Sequence, residues 1–178
     1  MALREIRIMG DPILEKVSKP VKAMTPRTKE LIGDMLETMY ENMGVGLAAP
    51  QVGVLKRIVV IDTSLEEEPN PIVLINPEII EADGEQTGEE GCLSLPGKAG
   101  QVTRPNHVKV RALDINMEPF ELEGEELLAR AVCHECDHLD GILYPTKVEG
   151  ELHDVTAPEE EESEETEDGE EAENGTEA

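Results

Sequence analysis

Hydrophobic positions along the chain form two helical stripes separated by short β-branched runs. After Thr25-Pro26, a capping residue and then proline at the first helical position, Leu31, Ile32, Met35, Leu36, Met39 and Met43 recur at helical spacing. Gly44 is placed to end that helix. A second stripe opens after Gly124 with Glu125 and Glu126, acids suited to a helix N-terminus. It runs through Leu127, Leu128, Ala131, Val132, His134, Glu135, His138 and Leu139 and stops at Gly141. Strands are expected at Arg57 to Asp62, Ile72 to Asn76, Glu78 to Ala82, His107 to Leu113 and Glu118 to Glu123, punctuated by Gly and Pro. Most connections are too short for crossover helices, so the strands should pair antiparallel and the class should be α+β.

Composition narrows the function. The 178 residues carry 15 bases and 41 acids, a formal net charge of −26. Such a balance argues against nucleic acid or an anionic membrane as an electrostatic partner. No apolar run is long enough to cross a bilayer, and the first ten residues lack the apolar core of a secretory signal, so a cytoplasmic location is expected. Three cysteines cannot all pair, which favours thiol or metal chemistry over a disulfide framework. Aromatics make up 2%, so any core must be mostly aliphatic.

The charge is concentrated at the end. Residues 158–178 hold 12 acids, no base and no large apolar residue, and are expected to be a disordered acidic tail. Residues 1–157 should form the single folded domain, still acidic at −14.

His134-Glu135-Cys136-Asp137-His138 lies on the second helix. At ~100° per residue, the two histidines stand ~40° apart on one face, one turn apart, where they can share a metal ion. Glu135 can reach the edge of that site and take a proton from a metal-activated water. Two histidines leave room for a third protein ligand and one open position. Cys136 lies ~200° round the helix from His134, and Cys133 ~100°, so neither suits the same ion. The Cys133-x-x-Cys136 spacing resembles a redox pair, but it falls inside the helix. Cys92 remains, between Gly91 and Pro96 in a segment expected to be irregular or at a sheet edge. It could equally be a small buried hydrophobe. The run Gly44 to Gly53 has small residues and one amide, Gln51, and would let a substrate backbone approach closely. It lacks the Lys and Ser/Thr of a phosphate loop.

Together, GVGLAAPQ from Gly44, EGCLS from Glu90 and CHECDHLDG from Cys133 resemble, in order and separation, the three motifs of the peptide deformylases. Asp11-Pro12-Ile13-Leu14 also resembles the opening segment of that family, and the likeness runs to about Val148. The resemblance implies antiparallel sheets packed around a central helix that carries the His-Glu-x-x-His motif. It implies a hydrolase that releases formate from the N-formylmethionine of nascent chains. Cys92, His134 and His138 would bind the metal, with a water in the fourth position. Glu135 would move the proton. The Gln51 amide and the Leu93 backbone N–H would stabilise the oxyanion. Gly46 would bond the substrate backbone, and Val45 and Leu127 would line the methionine pocket with the Arg130 stem at its rim. The family implies Fe²⁺, with Zn²⁺ or another divalent ion able to substitute. Asp137 or Glu90 is expected to pair with Arg104 and brace the site.

The chain departs from the family pattern at Cys133, usually Gln, and at Ala99, where some members carry Arg near the substrate mouth. Many members end in a helix, sometimes basic and implicated in ribosome docking. The ribosome is therefore a candidate partner, but an acidic end should be repelled by its RNA. Two other functions fit the helix motif. A His-Glu-x-x-His metallopeptidase would take a downstream third ligand, with His153 or an acid such as Glu149 available. A non-catalytic metal-binding adaptor would use the acidic tail to recruit basic partners.

Overall fold

In the computed structural model, described here for residues 2–65 and 67–155, two antiparallel sheets and two helices form one α+β domain. Helix α1 spans Pro26–Glu41 and α2 spans Glu126–Leu139. The strands are β1 (Gly46–Ala48), β2 (Ile58–Ile61), β3 (Ile72–Asp83), β4 (Gln86–Cys92), β5 (Leu95–Arg104), β6 (His107–Leu113), β7 (Pro119–Glu125) and β8 (Val148–Asp154). One sheet is ordered β1-β2-β3-β6-β7 and the other β4-β5-β8. The expected acidic tail, 158–178, lies outside the described residues.

The larger sheet is apolar on both faces. In β2, Val59 and Ile61 turn to α2, joining Ala129, Val132, Cys133, Cys136 and Leu139 in one cluster. Ile58 and Val60, on the alternate positions, turn to α1 and pack with Leu31, Ile32, Met35 and Met39. The sheet therefore separates the helices. Helix α2 also contacts β5 of the smaller sheet, so it lies between the two sheets as expected.

Both helices form where the pattern places them, with a difference at the end of α1. The Thr25 side chain accepts from the Thr28 N–H at 3.2 Å, and Pro26 opens the helix. The helix ends at Glu41. Met43, not Gly44, then takes the left-handed conformation, with φ 53°. Gly44 N–H donates to Met39 O at 2.9 Å and Met43 N–H to Tyr40 O at 3.0 Å, the paired bonds of a Schellman closure. Methionine there carries a backbone penalty of ~1–2 kcal/mol that glycine avoids. At Gly44 a Cβ would lie 2.6 Å from Leu93 Cδ1, so a side chain there would shift that leucine.

The expected strands at 72–76 and 78–82 are one strand, β3. Its first half pairs with β2 and its second half with β6, with register shifts between Ile75 and Glu78 and between Ile79 and Glu81. Asn76, at φ 51°, turns its amide onto Val21, accepting from its N–H and donating to its C=O, each at 2.8 Å. Strands β1, β4, β5 and β8 lie outside the β-branched runs, and each contains glycine; they form strands because neighbouring strands supply the partners.

Candidate active site

The β4–β5 hairpin turns tightly through Leu93 and Ser94, with Cys92 paired to Leu95 across a bulge. This places Cys92 at the end of an edge strand, pointing at α2. Its Sγ lies 3.3 Å from His138 Nε2, and one ligand atom each from Cys92, His134 and His138 fall within 4.8 Å of one another. The two imidazoles meet edge-on, with ring centroids 5.0 Å apart, as one helical turn requires. Ligands bonded at ~2.0–2.3 Å to one tetrahedral ion stand ~3.5 Å apart, so these three residues fit a metal ion. Burial pushes the His138 ring down to about 3, leaving its lone pair free to bind. Burial also lowers His134, but hydrogen bonds to Cys92 and Glu90 outweigh it and raise the ring to about 10, and an ion bound there would displace that proton.

Glu90 orients this centre. Its Oε2 accepts from His134 Nδ1 at 2.8 Å and from Arg104 at 2.9 Å, and its Oε1 accepts from Arg104 at 2.8 Å and Arg130 at 3.0 Å. A carboxylate on the far ring nitrogen fixes the tautomer that presents Nε2 to the ligand cluster. Burial would raise the Glu90 carboxyl, but the bonds from Arg104 and His134 win and hold it far below the ordinary carboxylate range. Arg104 also binds Asp137 at 2.6 Å, so both acids expected to pair with it do so. Arg130 lines the cavity, while its guanidinium turns inward to Glu90 and Val102 O.

Glu135 is buried, and its Oε2 has no hydrogen-bond partner among the described residues. Burial pushes its carboxyl up to about 7. It lies against Gly46, where a Cβ would come within 2.5 Å of Oε1. Gln51 sits in the short helix Ala49–Val52, its Oε1 accepting from Ala48 N–H at 2.9 Å. That bond aims its amide N–H groups at Ser94 Oγ, 3.1 Å away, and Cys92 Sγ, 3.5 Å away. Cys133 and Cys136 are buried in the core against the larger sheet, and burial pushes the Cys136 thiol up to about 12. Both are inert thiols. His153 is on β8, paired with Glu89 and outside the ligand cluster.

A cavity of about 790 Å³ opens over these groups. Val45, Gly46, Gln51, Cys92, Leu93, Leu127, His134 and Glu135 all line it, so the structure brings together every residue singled out for substrate or catalysis. Two edge strands border it: β1, paired on one side only, and β4. Sequence reasoning missed Ser94, fully buried beneath Gln51, and Tyr144, whose ring lies 5.8 Å from that of His134. Ser94 falls within the EGCLS motif, which could have pointed to it, whereas Tyr144 is brought here only by the fold. Among the described residues, no helix is long and apolar enough to cross a membrane.

A family model described as polypeptide deformylase matches residues 3–153. The chain is 70% identical over 164 residues to a peptide deformylase of Lachnoclostridium phytofermentans, covering 92% of this chain and all of that one. A peptide deformylase from Synechococcus elongatus, solved with actinonin, superimposes with a TM-score of 0.80 at 42% identity, covering 83% of this chain and 81% of that one. One from Acinetobacter baumannii, solved with Met-Ala-Ser, gives 0.77 at 37% identity, covering 82% of this chain and 99% of that one. With the fold, the three-ligand centre and these relatives in agreement, the chain belongs to the peptide deformylase family, metal-dependent hydrolases that remove the formyl group from N-terminal N-formylmethionine.

Proposed function

We propose that Cys92, His134 and His138 hold the catalytic ion, Fe²⁺ in the cell, and that Glu135, Gln51 and Leu93 carry the chemistry on formylmethionyl peptides in the cytoplasm. Zn²⁺ would bind this donor set more tightly by the general affinity order, so iron rests on the family and not on the ligands. Held by Cys92, His134 and His138, the ion would supply Lewis acidity to the formyl carbonyl and to an attacking water. Glu135 accepts a proton from that water and returns it to the departing amine. A C–O bond forms, the formyl C–N bond breaks, and formate and a free methionine amine leave. The Gln51 amide and the Leu93 backbone N–H donate to the oxygen that becomes negative, each worth ~3 kcal/mol in a dry site.

The substrate backbone adds as an extended strand between the open edges of β1 and β4, bonded at Gly46. The methionine side chain enters beside Val45 and Leu127. Residues 1–157 act as the catalytic domain and 158–178 as an acidic appendage that ribosomal RNA should repel, with the ribosome a candidate partner through another face.

The observation that carries this reading is the 3.3 Å approach of Cys92 Sγ to His138 Nε2 beside a buried, unpartnered Glu135 oxygen. Anaerobic purification with metal analysis, followed by formate release from formyl-Met-Ala-Ser, tests it. Iron at one equivalent and formate release are expected. Glu135→Gln should cut turnover ~10²–10⁴-fold with metal retained. Cleavage of the peptide bond without formate would favour the metallopeptidase, and an unaffected Glu135→Gln protein the adaptor.

A further inference from the structure

A second cavity, about 290 Å³, adjoins the first. Tyr40, Met43, Asp62, Ser64, Leu65 and Pro69 wall it. Met43, Gly44 and Val45 line both cavities, so the two adjoin along this segment. The volume lies near the lower end of small-molecule sites and suits one large side chain.

Asp62 builds this pocket. Its carboxylate is buried and accepts four hydrogen bonds: Tyr40 Oη at 2.6 Å, Ser64 Oγ at 2.6 Å, Ser64 N–H at 2.9 Å and Asn70 N–H at 3.0 Å. Those bonds tie the segment after β2 to the end of α1. With Asp62 fully engaged, Met43, Leu65, Pro69 and the Tyr40 ring supply an apolar surface. Met43 is 91% exposed and Leu65 69%, and both sit at positive φ, 53° and 54°. Large apolar side chains held in water by an unfavourable backbone call for an occupant.

The occupant follows from the direction of the substrate, given the deformylase reading above. Gly46 packs on Glu135, beside the ligand cluster, whereas the chain back from Gly46 through Gly44 leads to exposed Met43. A peptide whose N-terminus lies at the metal therefore runs outward against the direction of β1, antiparallel to it. With the formylmethionine beside Gly46, where β1 begins, the residues that follow pass Val45 and Gly44 and reach the Met43 turn that closes α1. We infer that the second cavity is a subsite for the fourth residue of the formylated peptide and selects an apolar side chain there.

The test compares kcat/KM for formyl-Met-Ala-Ser-X amides with X as Leu, Phe, Ser or Glu, in the wild type, Leu65→Ser and Leu65→Trp. Leu and Phe should exceed Ser roughly tenfold, mainly through KM. Leu65→Ser, which removes a wall, and Leu65→Trp, which fills the space, should each bring the Leu-to-Ser ratio close to one. A wild-type ratio near one, a ratio unchanged in both variants, or an apolar preference confined to residue two or three would overturn the subsite and leave deformylation standing. No formate from any peptide, formyl-Met-Ala-Ser included, would instead overturn the deformylase reading and the subsite with it.

Discussion

Gly46 and Glu135 touch so closely that no side chain fits between them: a Cβ on residue 46 would lie 2.5 Å from Glu135 Oε1 and 2.8 Å from its Cγ. The glycine lets an edge strand press on the buried carboxylate while it lines the cavity. Gly46→Ala must push Glu135 aside. A displacement of about 1 Å at a reacting group costs ~10²-fold in rate. We expect kcat for formate release to fall by about that factor while metal content and melting temperature stay close to wild type. A Gly46→Ala protein with full turnover would show that Glu135 need not stand where it does.

Glu90 balances two guanidiniums and one imidazole. Glu90→Gln removes the negative charge but nearly keeps the shape, leaving Arg104 and Arg130 buried against a neutral amide. Uncompensated buried charge costs ~3–5 kcal/mol, although Asp137 still serves Arg104 and tempers the loss. Losing the carboxylate behind His134 should also weaken metal binding ~10–100-fold. Denaturant unfolding measures the first effect and chelator competition the second. The two separate cleanly if Asp137→Asn, which does not touch His134, lowers stability but not metal affinity.

The N-terminal segment is held by a charge whose contribution depends on pH. Asp34, buried on α1, accepts from the Ala2 N–H at 2.7 Å and from Arg4 Nε at 2.9 Å. The Ala2 bond, then Arg4, outweigh burial and hold its carboxyl below the ordinary value of 3.8. A folded pKa below the unfolded one gives stability that is complete above the unfolded value and is lost as pH falls through the folded one. Asp34→Asn should therefore cost ~1–2 kcal/mol at pH 7. The gap from wild type should close in acid, below pH 3.8. Urea unfolding of both proteins at neutral and acid pH decides it, and a gap that widens in acid would contradict the assignment.

Met43 offers a substitution that should stabilise the fold. It occupies the left-handed position of the α1 closure, where glycine is the favoured residue. Met43→Gly removes a penalty of ~1–2 kcal/mol and adds ~0.4–1 kcal/mol of unfolded-state entropy, for a net gain of ~0.5–1 kcal/mol. The denaturation midpoint should rise accordingly. A fall in stability would mean that the exposed side chain makes contacts worth more than the strain.

The two helices were legible because amphipathic periodicity is a local signal: Leu31, Ile32, Met35 and Met39 and the His134–His138 pair each repeat within one or two turns. The smaller sheet was not. β4 reads Gln-Thr-Gly-Glu-Glu-Gly-Cys and β8 Val-Glu-Gly-Glu-Leu-His-Asp, sequences whose strand form depends on β5 lying between them. β3 was seen as two runs because Asn76-Pro77 looks like a break, whereas its side chain caps Val21 from within a bulged strand.

For the site, the residues alone determined that two imidazoles share a helix face with a carboxylate next to them, because 3.6 residues per turn allow nothing else. Among the cysteines, helix angle disfavoured Cys133 and Cys136 and left Cys92 either a third ligand or a small buried hydrophobe, and only the family resemblance pointed to the ligand. Only the tertiary structure decided that the Cys92 sulfur, 46 residues away from His138 in sequence, comes to 3.3 Å, since hairpin register and sheet packing set that distance. The same holds for Arg130: its charge was plain, but only the fold brings the buried Glu90 carboxylate and Val102 O to its guanidinium.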